Sequence, residues 1–286
     1  MNTDVVEPDK VGDKSPFAGC AIFITVLAVV VFLIVFSVVV LFRQSNAISK
    51  FTDTKPTKAQ IESIEDREQE LNKIAEKIER FRISVMDGKS SVLELSVEEL
   101  NLAIATYDAF KEMRGMLRVR EITQDRMTFD ISFKLNGRPR LAKKEEGAIV
   151  TSDPRYLNGI LITEPSLMNN EVVLKVRDID VTSGEVAKEF IEQMSPYRIA
   201  EKYVGDSDIG KVMATLTQVE LADGVIRFVK VEGEITKDNF TNEEVDQSSH
   251  RLFKALGIAA SIFLFFVAII IFLGLRSKKR QGNSES

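Results

Sequence analysis

The chain has 286 residues, with 38 Lys or Arg against 43 Asp or Glu and a formal net charge of −5. Nucleic-acid binding depends on clustered basic residues, so this mildly acidic composition excludes that class of partner. The sequence holds one cysteine, one histidine and no tryptophan. Internal disulfides and zinc sites built from Cys and His are therefore excluded by count, and the domain has no histidine to activate a nucleophile.

The N-terminal part predicts a transmembrane helix behind a short tail. Residues 1–16 are polar and include Pro8 and Pro16, which predicts a disordered cytoplasmic tail. Residues 17–42 carry no charge, and this run is longer than the ~7–15 apolar residues of a secretory signal. Cys20 stands at the start of the run, whereas a lipoprotein cysteine follows its apolar segment. We therefore predict an uncleaved transmembrane helix over residues 17–42.

A second charge-free run, residues 255–275, predicts another transmembrane helix. The basic tail of residues 276–286 follows at once, and short basic segments beside a span favour the cytoplasmic side. Two spans place both termini on the same side of the membrane. We predict a protein of the cell (inner) membrane, with both termini cytoplasmic and residues 43–254 extracytoplasmic.

Residues 43–91 are predicted to form a linker and an amphipathic stalk helix. Apolar residues recur between residues 57 and 82 at spacings of three, four or seven. One interpretation is a coiled coil that joins copies of the chain into an oligomer. The other, which we favour because the heptad pattern breaks at Glu68, is a helix lying on its own domain. The stripe consists of Ile61, Ile64, Leu71, Ile74, Ile78 and Phe81.

Residues 92–232 predict a domain of mixed secondary structure. Ser96 with Glu99 three residues later forms a capping box, which predicts a helix start, and the helix is expected to stop near Gly115. Period-two alternation over Met127–Leu135 predicts a half-buried strand that enters a hairpin at Asn136-Gly137. Further expected features are turns at Asp153-Pro154 and Asn169-Asn170, a short helix ending before Pro196, and a hairpin about Asp223-Gly224.

This order of elements lacks a regular βαβ alternation and therefore predicts an α+β fold. We expect an antiparallel sheet with helices on one face, flanked by the two transmembrane helices and joined to the second by a linker over residues 233–254. No glycine-rich phosphate loop stands between a strand and a helix, so nucleotide binding has no support.

Asp178 and Asp180 are separated by one residue, as are Asp206 and Asp208. A calcium site needs six to eight oxygens, and neither stretch supplies the rest, so a solvated strand face and a turn or helix cap are favoured. No catalytic, cofactor-binding or metal-binding residue is assigned, no cofactor is expected, and the protein is predicted not to be an enzyme. Weaker patterns are a glycosylation sequon at Asn239 and a small-residue pair, Gly257 and Ser261, on the second span.

An acyl chain held between sheet and helix is one interpretation of the apolar faces. The strand Met127–Leu135 and the helix that begins at Ser96 would supply the walls. An ordinary hydrophobic core uses the same residues and is the favoured interpretation.

The stretch containing Leu95, Ser96, Glu99, Leu100 and Asn101, with the strands that follow, resembles the extracytoplasmic domains of bacterial YpmS-type membrane-anchored proteins. The resemblance covers about residues 92–232 and implies a bacterial envelope protein that handles lipid. That family has one N-terminal anchor, so the second span departs from its pattern.

We predict a two-pass membrane protein with a non-catalytic extracytoplasmic binding domain. Its expected partner is a lipid, an envelope component or another membrane protein. The alternative is an accessory or sensory subunit of a larger membrane complex, whose spans and stalk helix pack against that complex. A hydrolase that works through acidic residues is a third, less favoured interpretation.

Overall fold

A computed structural model describes residues 16–148 and 150–236. The predicted second span, the basic tail and the patterns at Asn239, Gly257 and Ser261 lie outside the described residues. The described chain divides into a first unit, residues 16–41, and a mixed domain that begins at Phe42.

The first helix, α1, spans Pro16–Ile48. Its segment Leu27–Ile48 is long and apolar enough to cross a membrane. The helix continues beyond the predicted end at residue 42 because neither glycine nor proline interrupts residues 43–48. Ile48, at its end, packs against the core of the domain.

The stalk helix begins later than predicted, at Glu68, and α2 spans Glu68–Met86. The preceding segment is held in a non-helical conformation by the sheet: the N–H of Thr57 donates to Asn158 at 3.0 Å, and the N–H of Ala59 donates to the carbonyl of Gly115 at 3.0 Å. The apolar face of α2 lies on its own domain, where Ile74, Phe81 and Val85 are buried. Ile61 and Ile64 precede the helix and are exposed.

The capping box at Ser96 is confirmed. Strand β1 (Ser91–Ser96) leads into α3 (Val97–Thr106), and the Ser96 hydroxyl and Glu99 carboxylate accept hydrogen bonds from each other's backbone N–H groups. The predicted helix end near Gly115 is wrong. Instead the Arg114 guanidinium donates to the carbonyls of residues 104, 106 and 107, which satisfies the last turn and ends α3.

An antiparallel four-stranded sheet has the strand order β2-β3-β4-β5. The predicted hairpin at Asn136-Gly137 is wrong, because β3 continues through these residues with a bulge between Asn136 and Pro139. The predicted turn at Asp153-Pro154 is also wrong, since both residues lie within β4. The strands are β2 (Leu117–Ile122), β3 (Met127–Leu141), β4 (Val150–Met168) and β5 (Glu171–Val181).

The turn at Asn169-Asn170 is confirmed, and both residues have positive φ, as a two-residue hairpin loop requires. After β5 come α4 (Lys188–Met194) and α5 (Ile209–Thr215). The hairpin about Asp223-Gly224 is confirmed between β6 (Gln218–Ala222) and β7 (Val225–Lys230). These two strands and β1 form a separate sheet in the order β1-β7-β6, so the α+β domain contains two antiparallel sheets where one was expected.

The faces predicted as walls for an acyl chain are filled by side chains. Phe129 and Ile131 of β3 belong to one continuous core that also includes residues of α2, β1 and β7. Leu102 of α3 is fully buried. These contacts support the ordinary hydrophobic core as the role of both faces.

Candidate functional site

A groove of about 610 Å³ lies between helix α2 and the three-stranded sheet. Phe81 of α2, which is buried, contributes an apolar wall. The remaining lining is mainly polar. Its polar residues are Lys77, Arg80, Ser84, Ser91, Glu94, Glu220 and Arg227, and its apolar residues are Val92, Leu93 and Val229. We call this feature the β1 groove.

The β1 groove opens along the edge of a strand. Four consecutive residues, Ser91–Glu94, line it. Successive side chains of a strand point to opposite faces, so a groove lined by four in a row follows the strand's edge. In the described chain, β1 is an outer strand and pairs on one side with β7. Its second edge presents backbone N–H and C=O groups, the arrangement by which an extended peptide adds a strand to a sheet.

A row of alternating charges crosses the sheet beside the groove. Arg227 stands opposite Glu94 on one neighbouring strand and opposite Glu220 on the other. The Nε atom of Arg227 donates to Glu94 at 2.7 Å. One guanidinium therefore lies between two carboxylates, and the row keeps a formal net charge of −1.

The two basic residues from helix α2 differ in their pairing. Lys77 donates to the carboxylate of Glu99. Burial opposes ionisation of Glu99, but this bond and the bond from the Ser96 N–H hold its pKa below the usual value. Arg80 instead donates through Nε to the backbone carbonyl of Glu76 at 3.2 Å, and the described residues give it no carboxylate partner. Arg80 is therefore the groove cation available to an acidic ligand.

The edges of the four-stranded sheet are covered, unlike that of β1. On β2, the Asn101 side chain donates to the Val119 carbonyl and accepts from the Val119 N–H, both at 2.8 Å. On β5, Tyr197 exchanges two backbone hydrogen bonds with Leu174, at 2.8 and 2.9 Å. The Ser195 hydroxyl accepts from the N–H of Val176. One side chain and one short segment thus occupy positions that a further strand would take.

A second polar cluster joins the end of α1 to strand β4. The Arg155 guanidinium donates to the carbonyl of Ser49 at 2.9 Å and to the hydroxyl of Thr52 at 3.0 Å. Asp53 and Tyr156 exchange two backbone hydrogen bonds of 2.8 Å. We call this cluster, with Asn158 and Ser183, the α1–β4 clamp.

Asn158 lies at the centre of the clamp with only 7% of its surface exposed. Its Nδ2 group donates to Asp53 and to the Lys55 carbonyl, at 2.8 and 2.9 Å. Its Oδ1 atom accepts from the Thr57 N–H at 3.0 Å and from the Ser132 hydroxyl at 2.8 Å. An amide side chain has two donors and an oxygen with two lone pairs, so Asn158 uses its full capacity.

Asp53 is the charged residue of the clamp. Hydrogen bonds from Ser183 and then from Asn158 lower the pKa of its carboxyl group, against the opposing effect of burial. Its two carboxylate oxygens accept at 2.7 Å from Ser183 and at 2.8 Å from Asn158. The carboxylate is therefore stabilised in its ionised form where the segment after α1 joins the domain.

The aspartates singled out in the sequence are not brought together. Asp178 and Asp180 are exposed on β5. Asp206 accepts hydrogen bonds of 2.8 Å from the N–H groups of Asp208 and Ile209, which lowers its pKa and places it in the turn before α5. The described residues contain no group of three or more His, Cys, Asp or Glu that could hold a metal ion.

Glu171 is a recessed carboxylate that the sequence reasoning did not identify. Only 1% of its side chain is exposed, and one oxygen accepts from the Arg198 guanidinium. Its Oε2 atom has no hydrogen-bond partner in the described chain. Paired-carboxylate hydrolysis needs a second carboxylate beside the first; here the Arg198 guanidinium donates to Glu171 and also to Glu201, and so lies between the two carboxylates.

Comparison with protein-family models, curated proteins and solved structures finds no match to the chain. The resemblance to YpmS-type domains therefore stays a prediction from the sequence.

Proposed function

We propose that the chain is an integral membrane protein whose domain acts outside the cytoplasm by binding, not by catalysis. In this proposal residues 17–42 and 255–275 both span the cell membrane, and the α+β domain between them, with its helices on one face of the sheet layer, is held close to the bilayer. The apolar segment Leu27–Ile48 supports the first span. The basic residues after 275 support a cytoplasmic C-terminus.

The β1 groove is the observation that carries the proposed binding role. The unpaired edge offers backbone hydrogen bonds to an extended segment, and Arg80 offers a charge to an acidic side chain on it. The ligand that fits is therefore an extended segment of another membrane or envelope protein. A lipid is less well supported, because the apolar faces predicted to hold it pack into the core.

The alternative of an accessory or sensory subunit is favoured by the α1–β4 clamp. Residues 49–57 connect α1 to the domain without a free linker, since they are hydrogen-bonded to β4. A displacement of the domain on binding would be passed to the end of α1 by these bonds. The two functions are compatible, because a ligand would bind at the β1 groove and the clamp would transmit the resulting displacement to α1.

The direct test of the binding role is photo-crosslinking in the native membrane. A photoreactive amino acid replaces Val92, which is 54% exposed in the groove, in the full-length chain. We expect a defined adduct, lost in the Arg80→Glu variant. The same photoreactive residue at exposed Val204, outside the groove lining, is the control. Equal adducts from both positions, or an Arg80→Glu chain that crosslinks normally, would sink the proposal.

The proposed topology has its own test. With Cys20 replaced by serine, cysteines are placed singly at Val204 and at Ser284, and intact cells are treated with a membrane-impermeant thiol reagent. We expect labelling at 204 alone. Labelling at 284 in intact cells would contradict the cytoplasmic placement of the C-terminus.

A further inference from the structure

Strands β3 and β4 extend beyond the rest of their sheet as a two-stranded arm. The partner residues of β2 on β3 end at Ile131, and those of β5 on β4 begin at Gly159. Residues 132–141 and 150–158 therefore pair only with each other within the sheet. Their connection includes a 3₁₀ turn at Lys144–Glu146. We call residues 141–148 and Val150 the arm tip.

The arm runs back along the chain toward the membrane-proximal helix. Each step toward the tip meets an earlier residue of the N-terminal segment, so the direction of the arm follows from its contacts. From base to tip these contacts are Asn158 with Thr57, Tyr156 with Asp53, Arg155 with Ser49, and Arg138 with Phe42.

A bulge directs the last of these contacts. Gly137 and Arg138 together stand opposite Asp153, since the register shifts between Asn136 and Pro139. A Cβ atom at Gly137 would lie 2.5 Å from the Asp153 carbonyl oxygen, so the bulge needs glycine there. The Arg138 guanidinium lies over the Phe42 ring, with 5.4 Å from its carbon to the ring centroid.

Phe42 marks the boundary of the apolar run. It is the last residue of the charge-free segment 17–42, and Arg43 carries the next charge. Leu141 follows Arg138 by three residues, which in a strand is a distance of about 10 Å further along the arm. Leu141 therefore lies further along the arm than the contact of Arg138 with Phe42.

The arm tip carries the chemistry of a membrane-surface contact. Leu141 is 77% exposed and Val150 is 60% exposed, although both are large apolar side chains. Lys143 and Lys144 are exposed, and Lys143 helps to lower the pKa of Glu146. Exposed apolar residues beside exposed basic ones are typical of segments that lie in the headgroup region.

The acidic residues near the tip are partly neutralised. Arg140 donates to Glu146 at 2.8 and 3.0 Å and to Asp153 at 2.7 Å. Arg140 carries one charge against the two carboxylates that it contacts. With Lys143, Lys144 and Glu145, the group holds three basic and three acidic side chains, so its formal net charge is zero and the two lysines are its exposed cations.

Given the membrane span proposed for α1, we infer that the arm tip inserts into the headgroup region of the same bilayer, with Leu141 and Val150 at the apolar boundary and Lys143 and Lys144 on lipid phosphates. The arm would then be a second attachment of the domain to the membrane, separate from the β1 groove. It would hold the domain in one orientation relative to the bilayer.

Spin-label accessibility of the full-length chain in nanodiscs tests this inference. Cys20 is replaced by serine, and single cysteines are placed at Leu141, at Ile61 and at Val31. Ile61 is exposed and lies past the arm base, so it is the aqueous control; Val31, in the apolar run, is the lipid control. We expect the label at 141 to be at least about fivefold less accessible to a water-soluble nickel reagent than the label at 61, and more accessible to oxygen.

Anionic lipid and a double substitution of the two lysines test the lysine–phosphate contacts separately from the insertion of Leu141. In nanodiscs with anionic phosphatidylglycerol, the label at 141 is expected to lie deeper than in pure phosphatidylcholine, and the K143E/K144E variant should lose this difference. If 141 matches 61 while 31 is in lipid, the arm inference is overturned and the span stands. If 31 is also water-accessible, the span proposed for α1 fails, and with it the arm inference.

Discussion

The two sheets of the domain differ in whether their polar groups already have partners within the chain. In the four-stranded sheet, Asn101 and Tyr197 cover the outer strands, and Asn158 uses all of its hydrogen-bonding capacity within the clamp. In the three-stranded sheet, β1 borders an open groove and Arg80 has no carboxylate partner in the described chain.

Polar groups that are already hydrogen-bonded within the domain stabilise the fold, whereas polar groups at an open groove are available to a ligand. A buried polar group without a partner costs about 1–3 kcal/mol, so a satisfied buried cluster is a rigid part of the fold. A strand edge that borders a groove can remain hydrated and exchange water for a ligand. We therefore expect changes in the four-stranded sheet to affect stability, and changes in the β1 groove to affect binding.

The largest effect on stability is expected from Asn158→Ala. It removes four hydrogen bonds, three to the segment of residues 53–57 and one to the buried Ser132 of β3. We expect the free energy of unfolding to fall by about 3 kcal/mol. Chemical denaturation of the full-length protein in detergent micelles measures this. Asn136→Ala, at an exposed asparagine of the arm, is the matched control and should change it by less than about 0.5 kcal/mol. Equal effects of the two substitutions would contradict a structural role for the clamp.

Asn101→Ala should have the next largest effect. The substitution strips both hydrogen bonds from the backbone of Val119, which is almost fully buried. We expect a loss of about 2 kcal/mol in the free energy of unfolding. Asn101→Asp keeps an acceptor for the Val119 N–H but loses the donor to its carbonyl, so it distinguishes the two bonds. A stability of Asn101→Ala equal to that of the unsubstituted chain would show that water replaces the side chain at this edge.

The pH dependence of stability is expected to change in Asp53→Asn. The folded-state pKa of Asp53 is lowered, first by Ser183 and then by Asn158. A lowered folded pKa means that the ionised group stabilises the fold above its unfolded pKa of about 3.9, and that this contribution is lost as pH falls through the folded value. The difference in unfolding free energy between the two chains should therefore be greatest near pH 7 and should shrink below about pH 4. A difference that does not vary with pH would contradict the assigned role of the carboxylate.

Arg80→Glu is expected to have the smallest effect on stability and a large effect on binding. The side chain is exposed and makes one hydrogen bond to its own helix, so the free energy of unfolding should change by less than about 0.5 kcal/mol. Crosslinking from position 92 should be lost. Arg82→Glu, on the same helix but outside the groove lining, is the charge-matched control and should crosslink normally.

Sequence patterns predicted the elements whose signals are local. The capping box of Ser96 and Glu99 and the turn at Asn169-Asn170 depend on residues close in the chain, and both are confirmed. The mixed α+β class followed from the order of such elements. The apolar run before Arg43 likewise needed only length and composition.

Features that depend on distant contacts could not be predicted in this way. Asn136-Gly137 has the composition of a hairpin turn, but its glycine serves the close approach of Asp153 in a bulge. The end of α3 is set by Arg114, which lies after the helix in sequence. Asn158 gave no signal, because each of its four partners lies at least 26 residues away in the sequence. The β1 groove depends on strand order, which sequence periodicity does not specify.

Hydrogen–deuterium exchange of the full-length protein tests the contrast between the sheets most directly. Exchange is compared between the protein in its native membrane and the purified protein in nanodiscs, for peptides that cover residues 91–96 and residues 52–58. We predict that 91–96 exchanges at least about tenfold faster after purification, because the partner strand has been removed, while 52–58 stays slow in both. Equal protection of 91–96 in the two preparations, or exchange at 52–58 that changes with it, would contradict an open β1 edge beside a closed clamp.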